Sequence, residues 1–147
     1  MSDVPAIPFE TTLLVRDACL CLHLQRAARV LARRFDEALR PFGLTNGQFS
    51  LLMSLNRPQP PAIGEVAALL AMDRTTLTAA LKPLERRGLV AVTASPEDRR
   101  SRLLSLTPAG ERLLAEAVPA WERTQRAVEE TLGQDADRLR GDLLALS

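Results

Sequence analysis

The sequence predicts a mainly α chain of the α+β class, with one small hairpin set among helices. Three observations predict it. Aromatic residues make up 3% of the chain against 46% hydrophobic overall, so the core must be built from Leu, Ala and Val, a helix-favouring mixture. Apolar residues recur at helical spacing toward both ends of the chain. Between Ile63 and Leu106 the order is short helix, turn, Asp-capped helix, Gly stop, strand, Arg-rich hairpin, strand. That order is what a winged helix-turn-helix needs to set one helix in a DNA groove. Residues 1–42 are expected to form an N-terminal arm and dimerisation helix, 43–107 the winged lobe, and 108–147 the C-terminal dimerisation helices.

Each element follows from local signals. Residues 1–10 carry Pro5 and Pro8 and predict an extended arm. From Thr11 to Arg40, Leu13, Leu20, Leu24, Ala27, Leu31, Phe35 and Ala38 keep one apolar stripe, which predicts a single helix about 45 Å long. A small domain cannot cover such a rod alone, so part of it is expected to pack on a second subunit. Pro41 and Gly43 end it. Thr45 and Gln48 have capping-box spacing before a helix carrying Phe49, Leu51, Leu52 and Leu55. Residues 56–61, with three prolines, predict a stiff loop. Ile63 to Ala71 is the next helix; Asp73 caps another that runs to about Arg87, where Gly88 stops it. Pro83 inside that helix is expected to distort it after Ala79. Leu89–Ala94 and Arg102–Leu106 are strand candidates. Thr107-Pro108 starts a helix to about Leu132, with Pro119 as a candidate bend, and Asp135 caps a last helix to Leu146.

The formal net charge of +1 says nothing about nucleic acid, but its distribution does. Residues 73–102 hold seven basic and four acidic side chains; residues 108–147 hold five basic and eight acidic. A basic centre beside an acidic C-terminal arm separates a phosphate-facing surface from another kind of surface. No apolar window reaches membrane-spanning length and the N-terminus lacks signal-peptide regions, so a cytoplasmic protein that does not enter membranes is expected. Two cysteines, Cys19 and Cys21, make no disulfide framework.

On the Asp73-capped helix, Thr75, Ala79, Lys82 and Arg86 share a face, and Arg74, Thr76 and Thr78 flank its N-terminal end. Hydroxyls and methyls suit base edges and thymine methyls, and Lys or Arg suits guanine or phosphate. Taken alone this could be a solvated helix face. The hairpin Asp98-Arg99-Arg100-Ser101-Arg102 adds a second basic element suited to a minor groove, with Asp98 expected to hold the Arg100 side chain. An isolated charged turn would mean little; the two together converge on one DNA-binding surface.

At these residues the chain resembles the MarR (multiple antibiotic resistance regulator) family of winged-helix repressors. The resemblance rests on Gly43-Leu44-Thr45 with Gln48-Phe49 and Leu51-Leu52, and on Asp73-Arg74-Thr75-Thr76-Leu77-Thr78. It continues through Leu84-Glu85-Arg86-Arg87-Gly88-Leu89-Val90, Asp98-Arg99-Arg100 and Leu106-Thr107-Pro108-Ala109-Gly110, covering roughly residues 11 to 146. It implies an obligate homodimer on a pseudo-palindromic double-stranded operator. The helix from Arg74 would enter the major groove and the Asp98–Arg100 hairpin would be the wing. It also implies repression of nearby genes, relieved by a small molecule or by thiol oxidation.

Cys21 matches the place of the reactive thiol in the organic-hydroperoxide-sensing branch, whose tyrosines are replaced here by Gln25 and Phe35; the chain has no Tyr. The plainer role for Cys19 and Cys21 is a buried, inert pair. Cys19 and His23 share a helix face but Cys21 points away, so no metal is assigned. For a small aromatic or phenolic effector, the resemblance nominates Arg16, His23, Phe49, Met53 and Trp121 as pocket residues. Trp121 is equally suited to packing. No cofactor motif and no plausible nucleophile–base pair beyond Cys with the single His point to an enzyme. A dimeric interaction module that has lost DNA binding is the other rival, and the intact basic set argues against it.

Overall fold

The computed structural model describes residues 6–133 and 135–147; residues 1–5 of the expected arm lie outside the described residues. The chain divides into two compact units, residues 1–34 and 35–147.

In the first unit helix α1 (Phe9–Ala18) begins at Phe9, ahead of the Thr11 start expected from the sequence. The single rod expected from Thr11 to Arg40 is two helices: α1, and α2 (Leu20–Leu39). The break is Cys19, at φ −69° and ψ 108°. Its carbonyl accepts from the His23 amide at 3.1 Å and faces His23 Nδ1 at 2.7 Å, and its sulfur accepts from Leu22 N at 3.5 Å. Cys19 therefore caps α2 in the way a Ser or Asp would. Apolar periodicity does not see such a cap, since the stripe runs on through it.

In the second unit the chain leaves α2 by a short 3₁₀ turn (Arg40–Phe42) and enters α3 (Asn46–Ser54). Both halves of the Thr45–Gln48 capping box form. A further cap comes from α2: Asp36 Oδ1 accepts from Asn46 N at 2.7 Å and from Asn46 Nδ2 at 2.8 Å. Helix α4 (Ile63–Leu69) ends in a turn where Ala71 adopts φ 52°, and α5 (Arg74–Arg86) follows. Pro83 does not interrupt α5. A proline removes one amide from the ladder, but the next bond, from Arg87 N to Pro83 O at 3.1 Å, is intact. Helix α6 (Pro108–Leu132) is likewise continuous through Pro119, and α7 (Ala136–Ala145) ends the fold.

Strands β1 (Val90–Ala94) and β2 (Arg102–Leu106) pair antiparallel, Val90 opposite Leu106 and Ala94 opposite Arg102. The proline-rich segment does more than a loop: Pro61 O accepts from Leu104 N at 2.9 Å, and Ala62 bridges Leu103, extending the sheet. The hairpin base is fixed to α6, with Thr107 donating its amide to Leu89 O at 3.0 Å and its hydroxyl to Gly88 O at 2.6 Å. At Gly110 a Cβ would stand 2.2 Å from Leu89 O, so only glycine permits this approach.

The core lies in the second unit, where Leu39, Leu52, Val66, Leu77, Leu84 and Leu104 are fully buried. Each contributes about 1.5–3 kcal/mol by leaving water. Together they lock α3, α4, α5 and the sheet into one body, which sets the outer face of α5. Among the described residues no helix is long and apolar enough to cross a membrane.

Candidate nucleic-acid interface

Helix α5 buries Leu77, Leu81 and Leu84 and exposes the opposite face. On that face Arg74, Thr75, Thr78, Ala79 and Lys82 line one shallow concavity, and Lys82 and Arg86 with Glu85 line a second beside it. All seven α5 residues singled out in the sequence are exposed. Thr76 is turned to another task. Its amide and hydroxyl both donate to the Asp73 carboxylate, each at 2.8 Å. These bonds hold the Asp73 carboxyl below the usual aspartate range. Thr78 donates its hydroxyl to Arg74 O at 2.7 Å. The Arg74 guanidinium lies against Gly64 of α4, where a Cβ would come within 2.7 Å of Nη2.

The hairpin tip, residues 95–101, exposes Asp98, Arg99 and Arg100, and Arg102 is exposed on β2. The expected hold of Asp98 on the Arg100 side chain does not form. Asp98 Oδ1 instead accepts from the backbone amide of Arg100 at 3.0 Å, closing an Asx turn. The Ser101 amide donates to Asp98 O at 3.0 Å, and Arg102 Nη1 to Arg99 O at 3.4 Å. Asp98 thus shapes the loop and leaves the Arg100 guanidinium unpaired among the described residues. The spacing Asp-x-Arg already carried this signal, since an aspartate commonly bonds the amide two residues on.

Arg87 has a structural role that the sequence does not reveal. Its Nη1 donates to Gly43 O at 2.8 Å, tying the end of α5 to the turn between α2 and α3. Nothing local in the sequence shows a bond across 44 positions.

Between α3, the end of α4 and α6 lies a cavity of about 500 Å³ lined by Phe49, Ser50, Met53, Ser54, Leu69, Leu70, Val118 and Trp121. Phe49, Met53 and Trp121 thus come together as expected for a pocket, and the Phe49 and Trp121 rings stack 6.1 Å apart at 14°. No charged side chain lines it. Ser54 donates its hydroxyl to Leu51 O at 2.6 Å.

The other nominated residues belong to the first unit. Arg16 pairs with Asp17 at 2.7 Å on the surface. His23 Nδ1 faces a carbonyl, which can only accept, so that nitrogen carries the proton. Both cysteines are free thiols. Cys19 is half-buried; Cys21 is exposed, not buried as an inert pair would be, and its sulfur accepts from Gln25 Nε2 at 3.2 Å. Among the described residues no cluster of three or more His, Cys, Asp or Glu could hold a metal ion.

A family profile described as MarR family matches residues 44–101, the span from the α3 cap through the hairpin tip. The organic hydroperoxide resistance transcriptional regulator of Bacillus subtilis is 30% identical over 127 residues, covering 86% of both chains. The chain belongs to the MarR family. Its members are transcriptional regulators rather than enzymes, and this MarR-family chain is a DNA-binding transcriptional regulator. The crystal structure of the M. tuberculosis regulator MosR in complex with DNA matches with a TM-score of 0.80 and 41% identity, over 87% of this chain and 92% of that one. The transcriptional activatory protein BadR of Rhodopseudomonas palustris is 35% identical over 94 residues, 62% of this chain; the match spans 54% of that longer relative.

Proposed function

We propose that this regulator acts as a homodimeric repressor of genes near its own and leaves DNA when a small organic molecule binds. In this proposal α5 enters the major groove of each half of a pseudo-palindromic operator. The hairpin tip enters the adjacent minor groove with Arg99 and Arg100. The similarity to a regulator crystallised with DNA supports the first part, as does the convergence of Arg74, Thr75, Thr78, Ala79 and Lys82 in one concavity.

The observation that carries effector release is the position of the apolar cavity. Leu69 and Leu70 line it, and they immediately precede the Ala71 turn that aims α5. A ligand that displaces Leu70 pushes on that turn and thereby on the recognition helix. With stacked aromatic walls and no charged lining, the cavity favours a neutral, phenol-like molecule over an aromatic acid. Fluorescence anisotropy on DNA flanking the gene tests this, with a salt series, competitor DNA and added phenols. Salt-sensitive, sequence-selective binding that a phenol reverses is expected. Binding unaffected by any phenol, with no dependence on Leu70, would overturn the release mechanism. A reporter gene on the same DNA decides between repression and activation.

One observation favours a second reading, thiol sensing. The Gln25 amide donates to Cys21 sulfur at the place where the hydroperoxide-sensing branch uses a tyrosine. Such a bond strengthens when sulfur ionises, and a relative bears the name of an organic hydroperoxide resistance regulator. Cys21→Ser is expected to bind DNA normally. Loss of peroxide-induced release in that variant would favour this route over the cavity.

A further inference from the structure

The three threonines at the start of α5 look interchangeable in sequence, but their hydroxyl protons are not equally available. We infer that on the concave face of α5 Thr75 supplies the hydrogen-bond donor and Thr78 contributes its methyl rather than a donor. This rests on the proposal that α5 enters the major groove.

A threonine hydroxyl has one proton to donate and oxygen lone pairs to accept. Thr78 donates its proton to Arg74 O at 2.7 Å, inside the helix. Thr76 donates its proton to Asp73 Oδ2 at 2.8 Å and is not part of the concavity. Thr75 lines the concavity, is exposed, and forms no hydrogen bond through its hydroxyl among the described residues. Phosphate oxygens, purine N7, guanine O6 and thymine O4 are all acceptors, so each needs a donor from the protein. Thr75 is the only one of the three with its proton uncommitted. The Thr78 Oγ1 is turned toward the Arg74 carbonyl of its own helix, and its methyl is the natural partner for a thymine C5-methyl.

Thr→Val removes a hydroxyl at constant shape, and Thr→Ser removes a methyl and keeps the hydroxyl, so the two positions can be driven in opposite directions. The probe is a duplex enriched by the wild-type protein from a randomised pool, read by anisotropy at fixed salt. Thr75→Val is expected to weaken binding about tenfold, from one lost hydrogen bond, while Thr75→Ser stays within about twofold. Thr78→Ser is expected to weaken it about fourfold, while Thr78→Val stays within about twofold. Replacing the thymines of the probe by deoxyuridine should weaken wild type and leave Thr78→Ser little changed. The reverse pattern, with Thr78→Val defective and Thr75→Val normal, would overturn the assignment, and so would equal sensitivity at both positions. Circular dichroism confirms that each variant folds. If wild type enriches no sequence, the groove proposal fails and this assignment with it. If wild type binds and Lys82→Ala does not weaken it, the DNA path avoids this face and the assignment is likewise wrong.

Discussion

Residues 6–34 and residues 35–120 obey opposite rules of burial. Among the described residues the second unit holds every buried hydrophobic one, from Leu39 to Ala120. The first holds none, and Phe9, Leu14, Leu20 and Val30 each keep more than half of their surface in water. Yet the first unit is fully helical from Phe9 apart from Cys19, and its stripe of Leu20, Leu24 and Leu31 is as regular as any core helix. An amphipathic pattern of this kind is what a second copy of the chain would cover, since exposed apolar stripes of this length are otherwise an aggregation hazard. The exposed Leu139, Leu143 and Leu144 of α7 make the same point at the other end of the chain. The buried core lies in the lobe, and the exposed apolar stripes lie at the two ends of the chain. That division supports the homodimer in the proposed function.

Substitutions of equal size should therefore act differently in the two units. Leu84→Ala, at a fully buried site, is expected to cost about 2–5 kcal/mol in denaturant unfolding. The pair Leu24→Asp and Leu31→Asp should instead split the dimer, seen as a monomer in sedimentation, with helical lobe signal retained. If that pair leaves the dimer intact, the stripe is not its interface. Next in size, Gly110→Ala forces a methyl into Leu89 O and should cost about 1–3 kcal/mol. It should also loosen the hairpin, which hydrogen exchange of the Leu89 and Thr107 amides would report. An unchanged midpoint would mean the α6 start yields freely.

The contrast also explains what could be seen in advance. The helix starts at Thr45, Asp73 and Thr107 were legible because each is a local contract between a side chain and an amide within three residues. The basic face of α5 was legible because helical geometry alone puts Thr75, Ala79, Lys82 and Arg86 on one side. What escaped were bonds that sequence distance hides, such as Asp36 to Asn46, Arg87 to Gly43 and Pro61 to Leu104. Cys19 escaped for another reason. Sulfur is a weak acceptor, so a cysteine cap has no compositional signature, and the apolar stripe hid the break.

Asp36 tests whether the end of α2 stabilises the lobe. The Asn46 amide and side chain hold its carboxyl below the usual aspartate range, with Arg40 nearby adding to the effect. The folded state therefore binds its proton more weakly than the unfolded chain does. The stability this provides is complete above the ordinary aspartate value, about 3.9, and is lost as pH falls through the lower folded value. Wild type should lose stability between about pH 5 and pH 2 more steeply than Asp36→Asn. Parallel acid limbs would mean that the α2 end contributes nothing to the lobe.

The smallest expected effect lies at the turn between α4 and α5. Ala71 sits at φ 52°, a left-handed conformation in which its Cβ crowds the backbone. Gly there relieves the strain, and loses part of that gain to the greater freedom of glycine in the unfolded chain. A net stabilisation of up to about 1 kcal/mol in denaturant unfolding is expected for Ala71→Gly, from about 1–2 kcal/mol of relieved strain less about 0.4–1 kcal/mol of entropy. Its effect on function should run the other way. Ala71 follows Leu70 of the cavity and precedes the α5 cap, so a stiff left-handed residue there transmits displacement that a glycine would absorb. Ala71→Gly should therefore bind DNA as wild type does and respond less to a phenolic effector. A more stable protein with undiminished effector response would show that the signal leaves the cavity by another path.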